Sequence, residues 1–183
     1  PAGGVYVLEL SSYPIDITHS LACDAAALIN LAPDHLDRYD GYEAYIRSKA
    51  RLFEVQTVKH HSVFGKGDAD TARVYAEVLE RRGKDVVHLA ETATLSGQLE
   101  WPSLQGPHNL QNVAVAVGLV EALGLTEAQW RPALRSFKGL AHRMEVVAER
   151  NGVLFVNDSK ATNAASTAPA LAAYPRVHWI VGG

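Results

Sequence analysis

The sequence is poor in the features that mark disulfide-bonded, membrane-spanning and nucleic-acid-binding proteins. Its 183 residues include a single cysteine, Cys23, which excludes an internal disulfide and fits a reducing compartment. The longest apolar stretch, 113–125, is interrupted by glycine and glutamate and is too short to span a bilayer. The net charge of −3 gives no electrostatic reason to bind nucleic acid or an anionic membrane. Because no signal peptide is visible either, we expect a cytoplasmic protein.

The composition is that of an ordinary globular protein, with 48% hydrophobic and 20% charged residues. A chain of this length can form one full domain, or one domain and part of another. The sequence begins close to an apolar stretch, 5–10, and ends in another, 177–181, and neither is flanked by a partner strand. We therefore expect a piece of a longer protein.

Short apolar runs alternate with helical patterns along the chain, which predicts an α/β fold. The predicted strands are 5–10, 25–31, 57–58, 62–64, 86–89, 144–148, 153–156 and 177–181. The predicted helices are 41–56, 69–82, 109–123, 127–136 and 164–174. We expect the strands 5–10, 25–31 and 153–156 to be buried, and Asn151-Gly152 to form a hairpin turn. The segment 139–142 is a candidate domain boundary.

The stretch 157–163 places charged and hydroxyl side chains between a predicted strand and a predicted helix. Ligands of open α/β sheets bind outside the carboxyl ends of the strands, where helix N-termini supply unpaired N–H groups. Asp158, Ser159 and Thr162 could instead be turn and helix-capping residues. Lys160 favours a binding site, because a helix cap needs no cation.

A second set of polar residues follows the first two predicted strands. Glu9 ends an apolar strand, where a carboxylate is costly unless it is paired or binds a cation. The alternative is a solvated loop glutamate followed by two turn serines, Ser11 and Ser12. His35 is a candidate ligand for a divalent ion, or is merely exposed beside a helix cap.

Two predicted helices carry polar side chains that also have two interpretations. Lys49 lies on an apolar stripe with Tyr45 and Phe53, four residues away on either side. It either extends its ammonium group to solvent or has a function that needs a perturbed amine. Asn109 and Asn112 share a face in the first turn of helix 109–123, where they can cap the helix or bind the polar edge of a ligand.

Four separated motifs resemble the Mur ligase family, the ATP-dependent amide ligases of peptidoglycan precursor synthesis. They are Glu9-Leu10-Ser11-Ser12, Asp34-His35-Leu36-Asp37-Arg38 with Lys49 downstream, His108-Asn109-Leu110-Gln111-Asn112, and His142-Arg143-Met144-Glu145. A further signature, Asn157-Asp158-Ser159-Lys160-Ala161-Thr162-Asn163, resembles the family members that add D-glutamate. The resemblance covers nearly the whole chain, in the order that the family has.

The resemblance implies both a fold and an activity. Residues 1–140 would form a three-layer, P-loop-type central ATPase domain truncated at its N-terminus, and residues 141–183 would begin a Rossmann-like C-terminal domain. The implied reaction is the ATP-dependent addition of D-glutamate to UDP-N-acetylmuramoyl-L-alanine through an acyl phosphate. ATP and Mg²⁺ are the implied cofactors, and the implied partners are these small-molecule substrates.

The resemblance also assigns roles to individual residues. The implied catalytic residues and magnesium ligands are Glu9, His35 and Lys49, the last as a carbamate formed with carbon dioxide. The implied ATP-binding residues are Asn109, Asn112, Arg143 and Asp158. The implied substrate-binding residues are Ser11, Ser12, Tyr45, Lys160 and Thr162.

Two features depart from the family pattern. No stretch resembles the family's glycine-rich phosphate loop ending in Gly-Lys-Ser/Thr, since Gly65-Lys66-Gly67 is too short and wrongly framed. Tyr13-Pro14 stands where the family carries an aromatic residue and glutamine, and Pro14 removes a backbone donor. We expect that the 183-residue chain alone neither hydrolyses ATP nor makes the amide. The alternatives are another amide ligase of the superfamily, such as a folylpolyglutamate synthase, or a non-catalytic nucleotide- or partner-binding module.

Overall fold

Two compact units, Pro1–Leu89 and Ala90–Gly183, make up the chain in a computed structural model that describes residues 3–33 and 37–182, the side chain of Ala165 excepted. Each unit has its own cluster of buried apolar side chains. The candidate domain boundary at 139–142 lies within the second unit. The domain extents 1–140 and 141–183 therefore stay a prediction.

A parallel three-stranded sheet in the order β1-β2-β3 organises the first unit. Its strands are β1 (Ala25–Leu28), β2 (His61–Phe64) and β3 (Val87–Leu89). Parallel neighbours need a crossover connection, and here α2 (Tyr42–Glu54) joins β1 to β2 while α3 (Ala69–Arg82) joins β2 to β3. The sheet and its crossover helices confirm the predicted α/β class.

The core of the first unit lies between this sheet and the helices beside it. Phe53 of α2 and Phe64 of β2 are 1% and 0% exposed, and their ring centroids lie 4.6 Å apart. The helix α3 begins where the Asp68 side chain accepts a hydrogen bond from the Thr71 backbone N–H at 2.7 Å. A short helix, α1 (Ser12–Ile17), precedes β1 and packs against α2.

The second unit combines helices with a β-hairpin. The described elements are α4 (Pro107–Ala122), α5 (Glu127–Ser136), β4 (Glu145–Arg150), β5 (Val153–Asn157) and α6 (Ala164–Leu171). Trp101 and Trp130 are both buried in its core, and the Trp130 Nε1–H donates to Glu121 Oε1 at 3.0 Å. The helix α5 begins at the predicted residue because Thr126 and Gln129 form a capping box.

The predicted hairpin around Asn151-Gly152 is confirmed. Both turn residues have positive φ, 51° for Asn151 and 74° for Gly152, as a two-residue type I′ turn requires. The strands β4 and β5 pair antiparallel, with an irregularity between Val146 and Ala148. The expectation that β5 is buried is wrong, since Phe155 is 48% exposed.

Three predicted strands are absent from the described residues, namely 5–10, 57–58 and 177–181. The first and the last have no regular secondary structure and are exposed, as Val7 at 93% and Ile180 at 97% show. An apolar run becomes a strand only when a neighbouring backbone satisfies its N–H and C=O groups, and no described strand pairs with these two segments.

The predicted strand 25–31 and the predicted helix 164–174 each end three residues early. The first described strand stops at Leu28 rather than at residue 31. The last helix stops at Leu171 rather than at residue 174, and Pro175 disfavours helical backbone at Tyr174. Among the helices of the described ranges, none combines the length and apolar character that a membrane crossing requires.

Candidate functional site

The predicted site residues that precede β1 lie at the entrance to α1. Glu9 is exposed, so the expectation of a carboxylate ending a buried strand is wrong and the solvated-loop alternative describes its surroundings. Ser11 takes the N-cap position of α1 with extended backbone. Ser12 opens that helix and is only 1% exposed, and its Oγ has no hydrogen-bond partner in the described residues.

Pro14 does not distort this turn. It lies in the first turn of α1, where backbone N–H groups have no partner within the helix. Its carbonyl oxygen accepts a hydrogen bond from Thr18 Oγ1 at 2.6 Å. The proline therefore fits a helix start, although it removes the amide side chain that the family pattern carries there.

The predicted residues of α2 lie together on the face of the helix that carries aromatic rings. Tyr45 is 6% exposed and packs against Tyr42 and Tyr39, with ring centroids 6.1 and 5.6 Å apart. Lys49 is half-buried, and its Nζ lies 5.2 Å from the centre of the Tyr45 ring. The predicted stripe is therefore confirmed, and a cation–π contact accompanies it.

His35 lies outside the described residues, but the segment that follows it is described. The Tyr39 hydroxyl donates to Asp16 Oδ2 at 2.8 Å, and Arg38 Nη2 lies 3.8 Å from the same oxygen. The segment after His35 is thus held to α1 through Asp16. Asp16 had no predicted role, since nothing local in the sequence points to these partners.

The described side chains can be tested for a magnesium site of the kind that the resemblance implies. In residues 3–33 and 37–182, no three His, Cys, Asp or Glu side chains lie close enough together to hold a metal ion. Glu9 offers the hard oxygen ligand that Mg²⁺ prefers, whereas an ammonium group on Lys49 would be repelled by a dication. The described side chains therefore do not form a magnesium site by themselves.

In the second unit, hydrogen bonds join the two stretches that carry Arg143 and Asp158. The Met144 backbone N–H donates to Asp158 Oδ1 at 2.9 Å, and the Lys160 backbone N–H donates to the His142 carbonyl oxygen at 3.0 Å. The Asn157 side-chain amide also pairs with His142 Nδ1 at 2.9 Å. The structure thus brings together two motifs that lie fourteen or more positions apart in the sequence.

The backbone of the first of these stretches is unusual. His142 and Met144 have φ values of 64° and 49°, which are uncommon for residues other than glycine. Strain of this kind persists only when the surroundings impose it. Here the Glu145 carboxylate accepts from the His142 N–H at 2.9 Å, and Asp158 accepts from the Met144 N–H.

The Asp158 carboxylate also affects the pKa of two further side chains, His108 and Tyr174. Burial lowers the pKa of His108, with Arg143 acting in the same direction and Asp158 opposing it. Burial raises the pKa of the Tyr174 hydroxyl, and Asp158 adds to that shift. Neither residue had a predicted role, although His108 belongs to a motif that we singled out.

Asn109 and Asn112 lie in the first part of α4, half-buried. The Asn109 Nδ2 donates to the Gln105 carbonyl oxygen at 2.9 Å, and the Asn112 Nδ2 lies 3.4 Å from Asn109 Oδ1. Gly106 rather than an asparagine is the N-cap, and Pro107 follows it as the first helical residue. The capping alternative for these asparagines is therefore wrong.

Lys160 and Thr162 are exposed in the loop between β5 and α6. The helix cap is Asn163, whose side chain accepts from the Ser166 N–H at 2.9 Å. Asp158, Ser159 and Thr162 are thus not the capping residues of α6. The Lys160 ammonium and the Thr162 hydroxyl therefore face solvent, shortly after Asp158 in the sequence.

Comparison with known protein sequences identifies the family to which the chain belongs. Residues 3–94 match the family described as the Mur ligase middle domain. The match spans half of the chain, and the chain belongs to the Mur ligase family. Its expected resemblance to that family is confirmed.

Two of the relatives carry the same name. The chain is 66% identical, over all of its 183 residues, to a UDP-N-acetylmuramoylalanine–D-glutamate ligase of Novosphingobium aromaticivorans and covers 41% of that protein. It is 48% identical to the ligase of that name from Zymomonas mobilis, with 100% of this chain and 41% of the relative covered. The chain thus spans about 41% of the length of these relatives.

A solved structure shares the fold. The crystal structure of MurF from Acinetobacter baumannii matches 80% of this chain and 36% of its own, with a TM-score of 0.60 at 19% identity. At that identity the likeness shows the fold alone, which agrees with the parallel sheet and crossover helices of the first unit.

Proposed function

We propose that the chain is part of an ATP-dependent ligase that adds D-glutamate to UDP-N-acetylmuramoyl-L-alanine in cytoplasmic peptidoglycan precursor synthesis. The high identity to relatives named as D-glutamate ligases, over the full length of this chain, supports the proposal. The relatives are longer, so the activity belongs to a protein that contains this chain. We expect the 183-residue chain alone to lack the activity.

The observation that carries the proposal is the junction in the second unit between the stretches 142–144 and 157–160. It holds the Arg143 stretch to the Asp158 loop through two backbone N–H donors. The same loop presents Lys160 and Thr162 to solvent. A guanidinium group suits phosphate oxygens, and an ammonium with a hydroxyl suits a carboxylate. We assign the first to ATP and the second to D-glutamate.

The reaction consists of two substitutions. A carboxylate oxygen of the UDP-linked substrate attacks the γ-phosphorus of ATP, which forms an acyl phosphate and releases ADP. The amine of D-glutamate then attacks the acyl carbon, the C–N bond forms, and phosphate leaves with loss of a proton from nitrogen. Because both steps gather negative charge, positioned donors contribute most where that charge develops.

In the second unit we assign the nucleotide to four residues. Asn109 and Asn112 would contact the adenine and ribose side, and Arg143 and Asp158 would contact the ribose and phosphates. The half-buried position of both asparagines in the first part of α4 supports this assignment. Asp158 already accepts one backbone N–H through Oδ1, which orients its carboxylate.

In the first unit we assign substrate and metal roles. Ser11, Ser12 and Tyr45 would lie on the substrate and metal side of the site, and the Tyr45 ring packs beside Lys49. Glu9, His35 and Lys49 as a carbamate are the proposed ligands of Mg²⁺, which would neutralise phosphate charge when bound. Reaction of the Lys49 ammonium group with carbon dioxide forms an N–C bond, releases two protons and so converts a cation into an anion that a dication stabilises.

The finer parts of the fold expectation belong to this proposal. We infer that the first unit is part of a three-layer, P-loop-type ATPase domain and that the segment from residue 141 begins a Rossmann-like domain. The parallel sheet with helical crossovers supports the first inference. The alternatives, another amide ligase of the superfamily or a non-catalytic nucleotide-binding module, predict no dependence on D-glutamate.

The experiment measures amide formation by the full-length protein with ATP, UDP-N-acetylmuramoyl-L-alanine and D-glutamate. In the Lys160→Ala variant we expect KM for D-glutamate to rise about 10- to 100-fold, the equivalent of roughly 1.5–3 kcal/mol for a charge-assisted hydrogen bond. KM for ATP should stay unchanged. Lys138→Ala, which removes another exposed lysine of the second unit, serves as the matched control.

Two results would count against the proposal. If amide formation and continuous turnover of ATP by the wild-type protein do not depend on D-glutamate, the assigned substrate is wrong. If Lys160→Ala and Lys138→Ala leave KM for D-glutamate equally unaffected, the carboxylate pocket lies elsewhere.

A further inference from the structure

The carboxylate of Asp16 is the centre of a hydrogen-bond network in the first unit. Ser48 Oγ donates to its Oδ1 at 2.5 Å, and the Tyr39 hydroxyl donates to its Oδ2 at 2.8 Å. Arg38 Nη2 lies 3.8 Å from the same Oδ2. Asp16 belongs to α1, whereas these three partners come from α2 and from the segment after His35.

The backbone around Asp16 is held by the same two segments. Arg51 of α2 donates to the carbonyl oxygens of Asp16 at 2.5 Å and Thr18 at 3.0 Å, which satisfies acceptors at the C-terminal end of α1. The Arg38 guanidinium lies over the Tyr13 ring, 4.0 Å from its centre. Ser48 Oγ also lies 3.4 Å from the Ser12 carbonyl oxygen.

Each segment in this network adjoins a residue with a proposed role. The helix α1 begins at Ser12, immediately after Ser11. Arg38 is the last residue of the motif that contains His35, and Tyr39 follows it. Ser48 is the neighbour of Lys49 in α2. The Asp16 carboxylate of α1 therefore contacts two other segments, and the proposed substrate and metal residues of the first unit, except Glu9, lie on or near these three segments.

The network favours the ionised form of the carboxyl group. Burial acts to raise the pKa of Asp16, but the hydrogen bonds from Ser48 and Tyr39, with the charges of Arg38 and Arg51, lower it overall. A carboxylate accepts from both hydroxyls at once, one at each oxygen. An asparagine side chain would present an N–H₂ group to one of these donors.

We propose that Asp16 is a positioning residue that fixes the Ser11-Ser12 turn, the segment after His35 and the Lys49-bearing face of α2 relative to one another. The inference rests on the proposed function for its effect on catalysis, though not for its structural part. Asp16 itself does not contact the reacting atoms. It acts through the residues on the segments that it joins.

The structural part is tested by amide hydrogen exchange of the full-length protein without substrates. In Asp16→Asn we expect the Thr18 and Gly41 amides to exchange at least tenfold faster, since their acceptors, Ile15 O and Tyr39 O, lie on the joined segments. The Ser62 amide, which donates to Val86 within the sheet, should be unaffected. Tyr39→Phe removes one of the two hydroxyl donors and should give an intermediate effect.

The catalytic part is tested by steady-state kinetics of the same variants, with Asp85→Asn as the control for an exposed aspartate of this unit. In Asp16→Asn we expect KM for the UDP-linked substrate to rise at least fivefold and KM for D-glutamate to stay constant. A loss of folded protein would lower the apparent kcat and leave both KM values unchanged. Tyr39→Phe should again be intermediate, which keeps the test valid if Asp16→Asn folds poorly.

The outcomes separate this inference from the proposed function. Unchanged exchange at Thr18 and Gly41 in both Asp16→Asn and Tyr39→Phe overturns the positioning role, whatever the wild-type protein catalyses. Faster exchange with both KM values unchanged also overturns it, because the joined segments would then have no part in substrate binding. Failure of the wild-type protein to form the amide overturns the proposed function, and the exchange measurement still decides whether Asp16 holds the segments together.

Discussion

Replacing Gly65 by alanine should destabilise the sheet of the first unit, because two backbone segments pass very close to each other there. A Cβ atom at Gly65 would lie 1.9 Å from the Ile29 carbonyl oxygen, whereas real Cβ contacts essentially never fall below 3.0 Å. The Gly65 N–H donates to the Leu28 carbonyl oxygen at 2.8 Å, directly after the paired part of β1 and β2. The two backbone segments, at Gly65 and at Ile29, must therefore separate by about 1 Å to admit a methyl group.

The magnitude follows from what this separation removes. The Gly65–Leu28 hydrogen bond contributes about 1 kcal/mol, and forcing a methyl group into a packed site costs about 1–3 kcal/mol. Leu28 and Phe64, at 7% and 0% exposed, have no room to move aside. Alanine lowers the entropy of the unfolded chain, which offsets about 0.4–1 kcal/mol. The net loss should be about 1–3 kcal/mol.

Native-state hydrogen exchange of the Ser62 amide is the appropriate assay, because its bond to the Val86 carbonyl oxygen reports on the sheet itself. Gly67→Ala is the matched control. A Cβ at Gly67 meets no atom within 4 Å and its φ is not positive, so that variant should be neutral or slightly stabilising. Equal opening free energies in the two variants would refute the packing argument.

Two further predictions concern pH and the second unit. The pKa of Asp16 is lowered in the folded protein, so its contribution to stability is present above the ordinary value of 3.8 and is lost as pH falls through the folded value. Urea unfolding of wild type and Asp16→Asn between pH 2 and 7 gives their free energies of unfolding. The difference between these two free energies should be largest near neutral pH and shrink below about pH 4. Gly106→Ala should cost about 1–3 kcal/mol more than Gly124→Ala, since both glycines have positive φ but only at Gly106 does a Cβ approach another side chain, Ala173 Cβ at 2.8 Å. Tryptophan fluorescence in urea measures the stability of Gly106→Ala and Gly124→Ala, because Trp101 and Trp130 lie in the core of the second unit. Equal losses of unfolding free energy in these two variants would contradict the predicted clash.

Elements whose boundaries depend on neighbouring residues could be predicted closely. The helices 69–82 and 127–136 have the predicted bounds, because Asp68 and Thr126 cap them through side chains three residues from their partners. The hairpin turn at Asn151-Gly152 was equally predictable, since its backbone requires positive φ at both positions. These signals are local, because each depends only on residues a few positions apart in the sequence.

Elements that depend on distant residues could not be predicted. The apolar segment 5–10 has the composition of a strand, yet no described strand pairs with it. Phe155 has the apolar character of a core residue and is 48% exposed, because nothing in the described residues covers that face of the hairpin. Apolar composition indicates what a segment can bury, and only its neighbours decide whether it does so.

The candidate site shows the same division. The types and order of its residues, from Glu9 to Thr162, were sufficient to predict the Mur ligase family, and the match of residues 3–94 confirms it. The role of Asp16 was invisible at that level, since its partners Tyr39 and Ser48 lie 23 and 32 positions away in the sequence. The junction of Met144 with Asp158 likewise exists only because the hairpin returns the chain beside itself.

The sequence by itself determined the family, the main helices and the identity of the side chains available for chemistry, because motif spacing and capping residues act over a few positions. The tertiary structure alone decided which carboxylates face solvent, which accept backbone and hydroxyl donors, and which apolar runs pair as strands. Hydrogen bonds and burial depend on distances through space, and those distances are set by how the elements pack rather than by the order of the letters.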